Sequence, residues 1–309
     1  MIDDDDVRAA ARRIGDRIRR TPVLRAGDKL WFKLEHTQHA GSFKTRGMFN
    51  QIVAAATRGV LPSAGIVAAS GGNAGLAAAF AARELGVPAE VYVPSNAPAI
   101  KVDKLRKLGA SVVQTGSEYA EAYAAAVEWA QASGAYFCHA YDDEDMVAGN
   151  GTLGLELLSQ LPDGFDTVLV AVGGGGLIAG MIAALRTSDV SVVSVEPATS
   201  AALHAALQAG GPVDVPVSGV AADSLGARRA GEIAYELARA AGIASLLVDD
   251  KAIVDARRRL WDDYRLVVEH GTAAAYAALT SGVYMPAPGE RVVVLLCGAN
   301  TDPSDLTLG

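Results

Sequence analysis

The sequence predicts an α/β protein with mostly parallel sheets, because short apolar runs alternate with helix-like segments along most of the chain. Short runs rich in Val, Ile and Ala are typical of parallel strands that are buried on both faces. The alanine-rich segments between them predict the helical crossovers that parallel strands require. The predicted strands are residues 64–70, 89–95, 110–116, 166–172, 190–196 and 291–296. The predicted helices are residues 73–85, 98–109, 118–133, 176–186 and 200–210.

The composition provides enough apolar residues for the chain to bury a large core. The chain has 309 residues, half of them hydrophobic, and a mean hydropathy of +0.22. That length suits one or two domains. No apolar run approaches the roughly 18 residues that a membrane span needs, and the N-terminus lacks the apolar centre of a signal peptide. We therefore expect a cytoplasmic protein that does not bind membranes.

The charge balance disfavours nucleic acid as a partner. The net charge is −8 and the pI is near 5.2, whereas contacts with phosphates need basic patches. The chain has two cysteines, Cys138 and Cys297, and each follows an apolar strand-like run. This pattern favours reduced thiols in a reducing compartment over a disulfide framework.

One stretch is the best candidate for an internal domain boundary. The acidic sequence YDDEDMVAGNG, residues 141–151, is interpreted as helix-breaking. It predicts a small α/β domain over residues 38–141. The large domain would then comprise residues 1–37 together with residues 142–309.

A glycine-rich loop after a predicted strand is the strongest candidate for an anion site. Gly173, Gly174, Gly175 and Gly176 precede a helix that begins near Leu177. Glycines let the backbone approach a ligand closely, and the N–H groups at a helix N-terminus attract anions. The loop lacks the Lys-Ser/Thr ending of a P-loop. A small ligand that carries a phosphate is therefore favoured over a merely flexible turn.

Two further polar loops follow predicted strands, at the positions where open α/β sheets bind ligands. The loop SGGNAG offers Ser70, Gly71 and Gly72 to an anion such as a carboxylate. Asn73 in this loop either contacts a ligand or caps the helix that follows. Cys297 ends the last predicted strand, where it either faces a ligand or fills space as a small buried hydrophobe.

Lys44 stands between a Gly-Ser-Phe turn and a Thr-Arg-Gly run, just before a predicted helix. An exposed charge is the ordinary role of a lysine. Here the lysine occurs together with a candidate phosphate site and a candidate carboxylate site. That combination meets the requirements of pyridoxal phosphate, which is held as a Schiff base and anchored through its phosphate.

Four motifs in order resemble the fold-type II pyridoxal-phosphate enzymes and, among them, the serine/threonine dehydratases or ammonia-lyases. The motifs are GSFKTRG, SGGNAGLAAAFAARELGVPAEVYVP, VGGGGLIAG and VVVLLCGAN. The resemblance covers nearly the whole chain and implies a fold like that of the tryptophan synthase β chain, with two open twisted α/β domains. It also implies a lyase that converts L-threonine or L-serine to a 2-keto acid and ammonia.

The resemblance implies roles for individual residues. Lys44 would form the Schiff base and remove the Cα proton, and Phe43 would pack against the pyridine ring. Asn73 would hydrogen-bond the phenolic oxygen of the cofactor, and Cys297 would lie beside the pyridine nitrogen. The cofactor phosphate would be held by Gly173, Gly174, Gly175, Gly176 and Leu177. The substrate carboxylate would be received by Ser70, Gly71 and Gly72.

Two departures from the family pattern leave alternatives open. Racemases of this group carry serine where this chain has Gly71, so racemisation is expected to be minor. Many dehydratases have Glu-Pro-Ala-Gly where this chain has EHGTAAA, so His270 and Thr272 would line the site differently. The alternative for His270 is a surface residue or the start of a helix. The alternatives are a serine racemase, a β-elimination from a hydroxyaspartate or an ectoine-pathway amino acid, and a non-enzymatic module that binds a phosphate ligand.

Further expectations concern a cation, the partners and the length of the chain. Relatives bind a monovalent or divalent cation, and Glu196 matches the glutamate that holds it. The position six residues later is Ala202, so a cation would depend on Glu196 and backbone carbonyls.

Relatives are commonly dimers, so we expect a homodimer that acts on a small amino acid. Because the chain ends nine residues after Asn300, we expect a catabolic enzyme without the regulatory domain of larger biosynthetic relatives.

Overall fold

The computed structural model describes residues 2–307, which form two sheets flanked by helices. The strands in this range are β1 (Val23–Arg25), β2 (Leu30–Lys33), β3 (Ile66–Ala69), β4 (Ala89–Val93), β5 (Ser111–Gln114), β6 (Tyr136–Phe137), β7 (Thr167–Ala171), β8 (Ser191–Pro197), β9 (Ala244–Val248) and β10 (Val292–Leu295). The α-helices are α1 (Asp4–Ile14), α2 (Lys44–Thr57), α3 (Asn73–Leu85), α4 (Ala99–Lys107), α5 (Tyr119–Ser133), α6 (Glu144–Gln160), α7 (Gly176–Leu185), α8 (Ala202–Ala209), α9 (Glu232–Ala241), α10 (Asp250–Tyr264), α11 (His270–Thr280) and α12 (Ser304–Thr307). Within residues 2–307, no helix is both long and apolar enough to cross a membrane.

The larger sheet has six strands in the order β1-β2-β10-β7-β8-β9. All neighbouring strands are parallel except β1 and β2. Its central strands β10 and β7 are buried along their whole length, as expected for parallel strands covered on both faces. Because β7 and β10 are parallel neighbours, the loops that begin at Val172 and Leu296 leave the same edge of the sheet side by side.

The smaller sheet has four parallel strands in the order β5-β4-β3-β6, all drawn from residues 66–137. Each of the six predicted strands overlaps an observed one, and the predicted α/β class with mostly parallel sheets is confirmed. The extent of the two domains, residues 38–141 against residues 1–37 with 142–309, stays a prediction.

The interpretation of residues 141–151 as helix-breaking is wrong, because α6 begins inside this stretch at Glu144. Asp143 caps the helix by accepting a hydrogen bond from the backbone N–H of Met146 at 2.9 Å. Two of the acidic residues that suggested a boundary, Glu144 and Asp145, occupy the first turn, where negative charge stabilises a helix N-terminus.

The glycines of the same stretch allow close contact between helices. A Cβ atom on Gly149 would lie 2.7 Å from the carbonyl oxygen of Arg46 on α2. A Cβ atom on Gly151 would lie 2.7 Å from the carbonyl oxygen of Gly180 on α7. Residues with side chains could not occupy these positions without moving backbone, so the glycines bring α6 against two neighbouring helices.

A buried cluster of charges fixes the start of α2 to the larger sheet and to α6. Arg46 donates to Glu35 at 2.6 Å and to Glu156 at 2.9 Å. Lys33 on β2 donates to Glu156 at 2.5 Å. Two cations and two carboxylates balance each other in this buried ion cluster, so each charge that leaves water has a partner. The first turn of α2, which carries Lys44, is therefore held rigidly.

Candidate active site

Lys44 is the first residue of α2, and its amine contacts the segment that joins β6 to α6. The Nζ atom donates a hydrogen bond to the carbonyl oxygen of Ala140 at 2.5 Å. Burial of the amine lowers the pKa of Lys44 to about 8. A larger fraction of neutral amine is thus present at neutral pH than an exposed lysine would have.

Backbone contacts hold the residues before α2 against the loop that follows β10. The N–H of Phe43 donates to the carbonyl oxygen of Cys297 at 3.0 Å. Ser42 and Gly298 form an isolated antiparallel bridge. These contacts bring Lys44 beside the end of the larger sheet, although the two loops lie far apart along the chain.

The four-glycine turn leads from β7 into α7 and presents free backbone donors. Gly175 has φ +94°, which glycine adopts without strain, and a Cβ atom on Gly174 would lie 2.4 Å from Cγ of Tyr141. In the described part of the chain, the N–H groups of Gly174, Gly175, Gly176 and Leu177 have no hydrogen-bond acceptor. Donors of this kind at a helix N-terminus form an anion site.

One cavity brings most of the predicted residues together. Those that line it are Phe43, Lys44, Asn73, Gly173, Gly174, Gly175, Gly176, Leu177 and Cys297. Thr272 also lines it, whereas His270 does not and begins α11. Lining residues that the sequence does not predict are Ala171, Val172, Ile178, Ser224, Leu225 and Glu269.

Asn73 is the first residue of α3 and does not cap that helix, because Gly72 occupies the N-cap position. Its side-chain Nδ2 instead lies 2.9 Å from both carboxyl oxygens of Glu269. Asn300 donates from Nδ2 to Oδ1 of Asn73 at 2.6 Å. Burial raises the pKa of Glu269 to about 7, and the hydrogen bond from Asn73 opposes that rise.

Cys297 is buried, and its thiol lies against Thr272. The Sγ atom is 3.3 Å from the Thr272 hydroxyl, which also exchanges hydrogen bonds with the backbone of Gly298. Burial raises the pKa of Cys297 to about 12, so the thiol is neutral over the physiological range. Cys138 is buried as well, and neither cysteine forms a disulfide.

The loop predicted to receive a carboxylate does not line the cavity directly but immediately precedes Asn73. The Ser70 hydroxyl accepts a hydrogen bond from the N–H of Gly72 at 3.1 Å. A Cβ atom on Gly71 would lie 3.5 Å from Cγ1 of Val93, which is an ordinary contact distance. A side chain at position 71 would therefore fit without displacing the backbone.

Comparison with known proteins identifies the family. The sequence profile of the family described as pyridoxal-phosphate dependent enzyme matches residues 14–298. The chain belongs to the pyridoxal-phosphate-dependent enzymes. This family, and the fold-type II architecture predicted from the four motifs, are thereby confirmed.

Named relatives are similar over nearly the whole chain. The L-threonine ammonia-lyase of Geobacter sulfurreducens is 36% identical over 311 residues, which cover 98% of this chain and 76% of the relative. A threonine deaminase of known structure, from T.th., has a TM-score of 0.88 at 33% identity, and the match covers 97% of this chain and 99% of the deaminase. Maize serine racemase has a TM-score of 0.91 at 31% identity, with 99% of this chain and 95% of the racemase covered.

The residues of the cavity fit the cofactor of this family. An amine with a lowered pKa and four unsatisfied backbone N–H groups line the same cavity, and pyridoxal phosphate offers an aldehyde and a phosphate to match them. The Tyr141 ring fills the space that a side chain on Gly174 would need, so the turn can present only backbone there. Lys44 and the glycine turn are the groups of this chain that suit the two ends of the cofactor.

Glu196, the predicted cation ligand, lies on β8 and caps α8. Its carboxyl oxygens accept hydrogen bonds from the N–H groups of Leu203 at 2.8 Å and His204 at 2.7 Å. Burial raises the pKa of Glu196 to about 8. Within residues 2–307, no group of three or more His, Cys, Asp and Glu side chains is placed to hold a metal ion. The cation site stays a prediction that depends on Glu196 and backbone oxygens.

Proposed function

We propose that the protein uses pyridoxal phosphate to eliminate water from a β-hydroxy amino acid, L-threonine or L-serine. Hydrolysis of the dehydrated product then takes up one water and gives a 2-keto acid and ammonia. The observation that carries this proposal is the single cavity that holds the Lys44 amine and the four-glycine turn. The names of two similar proteins, an L-threonine ammonia-lyase and a threonine deaminase, support the choice of reaction.

The cofactor is held at both ends by groups of this chain. Lys44 would provide the amine that holds the aldehyde end, and Phe43 would lie against the ring, since both residues line the cavity. The unsatisfied N–H groups of the four-glycine turn and Leu177 donate to the phosphate, with the dipole of α7 directed at it. Asn73 donates to the ring oxygen.

Lys44 also acts as the base. Bound pyridoxal phosphate supplies an electron sink that makes the Cα proton of the substrate acidic. The Nζ atom of Lys44, which lines the cavity, would accept that proton. A pKa of about 8 suits this task, because a base works best when its pKa lies near the operating pH. Such a base contributes roughly 10²- to 10⁴-fold to the rate.

Cys297 keeps the environment of the ring nitrogen neutral. A thiol whose pKa is raised to about 12 carries no negative charge at neutral pH and is a weak hydrogen-bond partner. It therefore cannot stabilise a protonated ring nitrogen as a carboxylate would. This environment favours prompt loss of the β-hydroxyl over slower competing reactions at Cα.

The substrate carboxylate binds at the loop of Ser70, Gly71 and Gly72. The loop stands at the N-terminus of α3, where N–H groups favour negative charge. The Ser70 hydroxyl is oriented by the N–H of Gly72 and can donate its own proton to a carboxylate oxygen.

The test is a substrate panel with the cofactor-loaded protein. We expect 2-keto acid and ammonia in equal amounts from L-threonine or L-serine, and neither product from the Lys44→Ala variant. A Lys251→Ala variant is the matched control, because that lysine is exposed and forms an ion pair with the exposed Asp255. Absence of keto acid from both substrates would rule out the proposed reaction.

Racemisation is the second candidate, because maize serine racemase is a close structural match. Gly71 offers no side chain that could donate a proton to the second face of Cα. Since a Cβ atom fits at this position, Gly71→Ser should gain racemase activity without loss of the fold. If wild-type protein already formed D-serine from L-serine faster than keto acid, racemisation would replace ammonia-lyase activity as the proposed function.

The protein is further proposed to act as a homodimer in the cytoplasm on a small amino acid, with no nucleic acid as partner. The net charge of −8 disfavours a nucleic-acid partner, and the two unpaired cysteines suit the reducing cytoplasm. Light scattering of the purified protein tests the dimer, for which the mass would be twice 31.8 kDa.

A further inference from the structure

We propose that Glu269 is a positioning residue that fixes the orientation of the Asn73 side-chain amide, so that one N–H of Asn73 is available to the ring oxygen of bound pyridoxal phosphate. This inference rests on the proposed function and deepens it. Glu269 is the N-cap residue of α11 and lines the cavity that contains Lys44. The sequence does not single it out for any role.

The orientation of the amide can be deduced from groups that can only accept. Asn300 donates from Nδ2 to the backbone carbonyl oxygen of Ala40 at 2.7 Å, and a carbonyl oxygen cannot donate, so this atom of Asn300 is nitrogen. The same Nδ2 faces Asn73 at 2.6 Å, and the atom that receives its second hydrogen must be the Asn73 oxygen. The Asn73 nitrogen is therefore the atom that faces Glu269.

The contact with Glu269 uses only one hydrogen of that nitrogen. Nδ2 of Asn73 lies 2.9 Å from both carboxyl oxygens of Glu269. The two oxygens of one carboxyl group are too close together to receive both N–H groups, which diverge by about 120°. One N–H is shared between them, and the other has no acceptor within the described chain. Because Asn73 lines the cavity, this second N–H is available to the cofactor that is proposed to bind there.

Glu269 and Asn300 act together as a clamp on the amide. The backbone N–H of Asn300 also donates to Oε1 of Glu269 at 3.0 Å, which holds the carboxyl group in place. If the Asn73 amide were flipped, its oxygen would face the carboxyl oxygens of Glu269, and its nitrogen would face the side-chain nitrogen of Asn300. Both hydrogen bonds would then be lost. A buried polar group avoids such an arrangement because unmade hydrogen bonds are costly there.

The clamp joins elements that are far apart in the chain. Asn73 begins α3, which packs on the smaller sheet, whereas Glu269 is the N-cap residue of α11, which packs on the larger sheet, and Asn300 follows β10 of the larger sheet. The N–H of Glu269 also donates to the carbonyl oxygen of Gly298 at 3.1 Å. The two residues that orient the Asn73 amide therefore belong to the part of the chain around the larger sheet, as do the glycine turn and Cys297.

The test is a double-mutant cycle on the cofactor-loaded protein without substrate. Glu269→Gln keeps the shape of the side chain but replaces one acceptor by a donor, which weakens one of the two contacts that orient the Asn73 amide. We expect the visible absorption band of the cofactor to shift and the Kd for pyridoxal phosphate to rise about tenfold, the usual consequence of losing one hydrogen bond. In an Asn73→Ala background, Glu269→Gln should produce no further change in either quantity.

A second variant removes the other contact that orients the Asn73 amide, the hydrogen bond from Asn300. Asn300→Ala removes the donor that holds the Asn73 oxygen, and we expect a band shift in the same direction as for Glu269→Gln. Equal effects of Glu269→Gln with and without Asn73 would overturn the inference, because the glutamate would then act independently of the amide. Wild-type protein that forms no band at all would instead overturn the proposed function, so the two failures are distinguishable.

Discussion

The Lys44 amine donates a hydrogen bond to the carbonyl oxygen of Ala140, 2.5 Å away on the segment between β6 and α6. The next residue, Tyr141, supports the glycine turn, because its ring occupies the space beside Gly174. One short segment therefore contacts both the lysine and the four-glycine turn. It sets the spacing between the two groups that are proposed to hold the ends of the cofactor.

Gly174→Ala should weaken the cofactor site through this segment. The added Cβ atom would lie 2.4 Å from Cγ of Tyr141, so the turn or the ring must move. We expect the Kd for pyridoxal phosphate to rise by at least tenfold, which corresponds to about 1.4 kcal/mol. Gly211→Ala is the matched control, because no atom lies within 4 Å of its added Cβ.

A double variant tests the cause of that effect. Gly174→Ala combined with Tyr141→Ala should recover part of the lost affinity, since the smaller side chain relieves the contact. If Gly174→Ala bound the cofactor as tightly as wild type, the fit between the turn and the Tyr141 ring would be irrelevant to the site.

Arg46→Met should destabilise the protein strongly. The variant leaves Glu35 and Glu156 without their guanidinium partner in the buried ion cluster, and loss of one partner from a buried pair costs about 3–5 kcal/mol. Urea unfolding measures the change in the free energy of unfolding. Arg25→Met is the control, because its pair with Asp28 is exposed and contributes about 0–1 kcal/mol. Similar small changes in both variants would show that the buried ion cluster is not needed for stability.

The apo protein should show an unusually reactive lysine. Burial lowers the pKa of Lys44 to about 8, so its amine loses its proton as the pH rises through 8, well below the ordinary value near 10.5. Labelling with an amine-specific reagent, read by peptide mass spectrometry, should be half-maximal near pH 8. Lys251 is the internal control, because Asp255 raises its pKa and keeps it protonated there. Identical pH profiles for the two lysines would contradict the proposed burial of the Lys44 amine.

Cys297→Asp should change which reaction the site favours. A carboxylate at this position would stabilise a protonated ring nitrogen, whereas the neutral thiol cannot. We expect the ratio of elimination to racemisation or transamination to fall, measured as keto acid against D-amino acid and aminated cofactor. Cys297→Ser is the matched control, because it keeps the position neutral and should preserve the ratio. An unchanged ratio in Cys297→Asp would show that the group beside the ring nitrogen does not select the reaction.

The sequence predicts the parts of the site that are local in the chain. Gly173 to Gly176 follow an apolar strand directly, and Asn73 lies in a loop that ends at a helix, so pattern alone locates them. Glu269, Ser224 and Tyr141 come from loops that have no such pattern and reach the cavity or its glycine turn only through tertiary contacts. The sequence by itself contains no signal that would join them to Lys44.

The start of α6 is also not predictable from the sequence, because tertiary contacts decide it. Gly149 and Gly151 suggest a break in the helix, because glycine disfavours helix interiors. In the fold they instead allow α6 to contact α2 and α7 closely, and that gain in packing outweighs the local preference. The buried ion cluster is not predictable either, since Lys33, Glu35 and Glu156 resemble ordinary surface charges until the fold brings them to Arg46.

The most direct test of the account is the location of the covalent bond to the cofactor. Protein loaded with pyridoxal phosphate is reduced with borohydride, digested and mapped by mass spectrometry. We expect a pyridoxyl group on Lys44 alone, in the peptide that contains Gly-Ser-Phe-Lys. A pyridoxyl group on another lysine, or none on an otherwise folded protein, would contradict it.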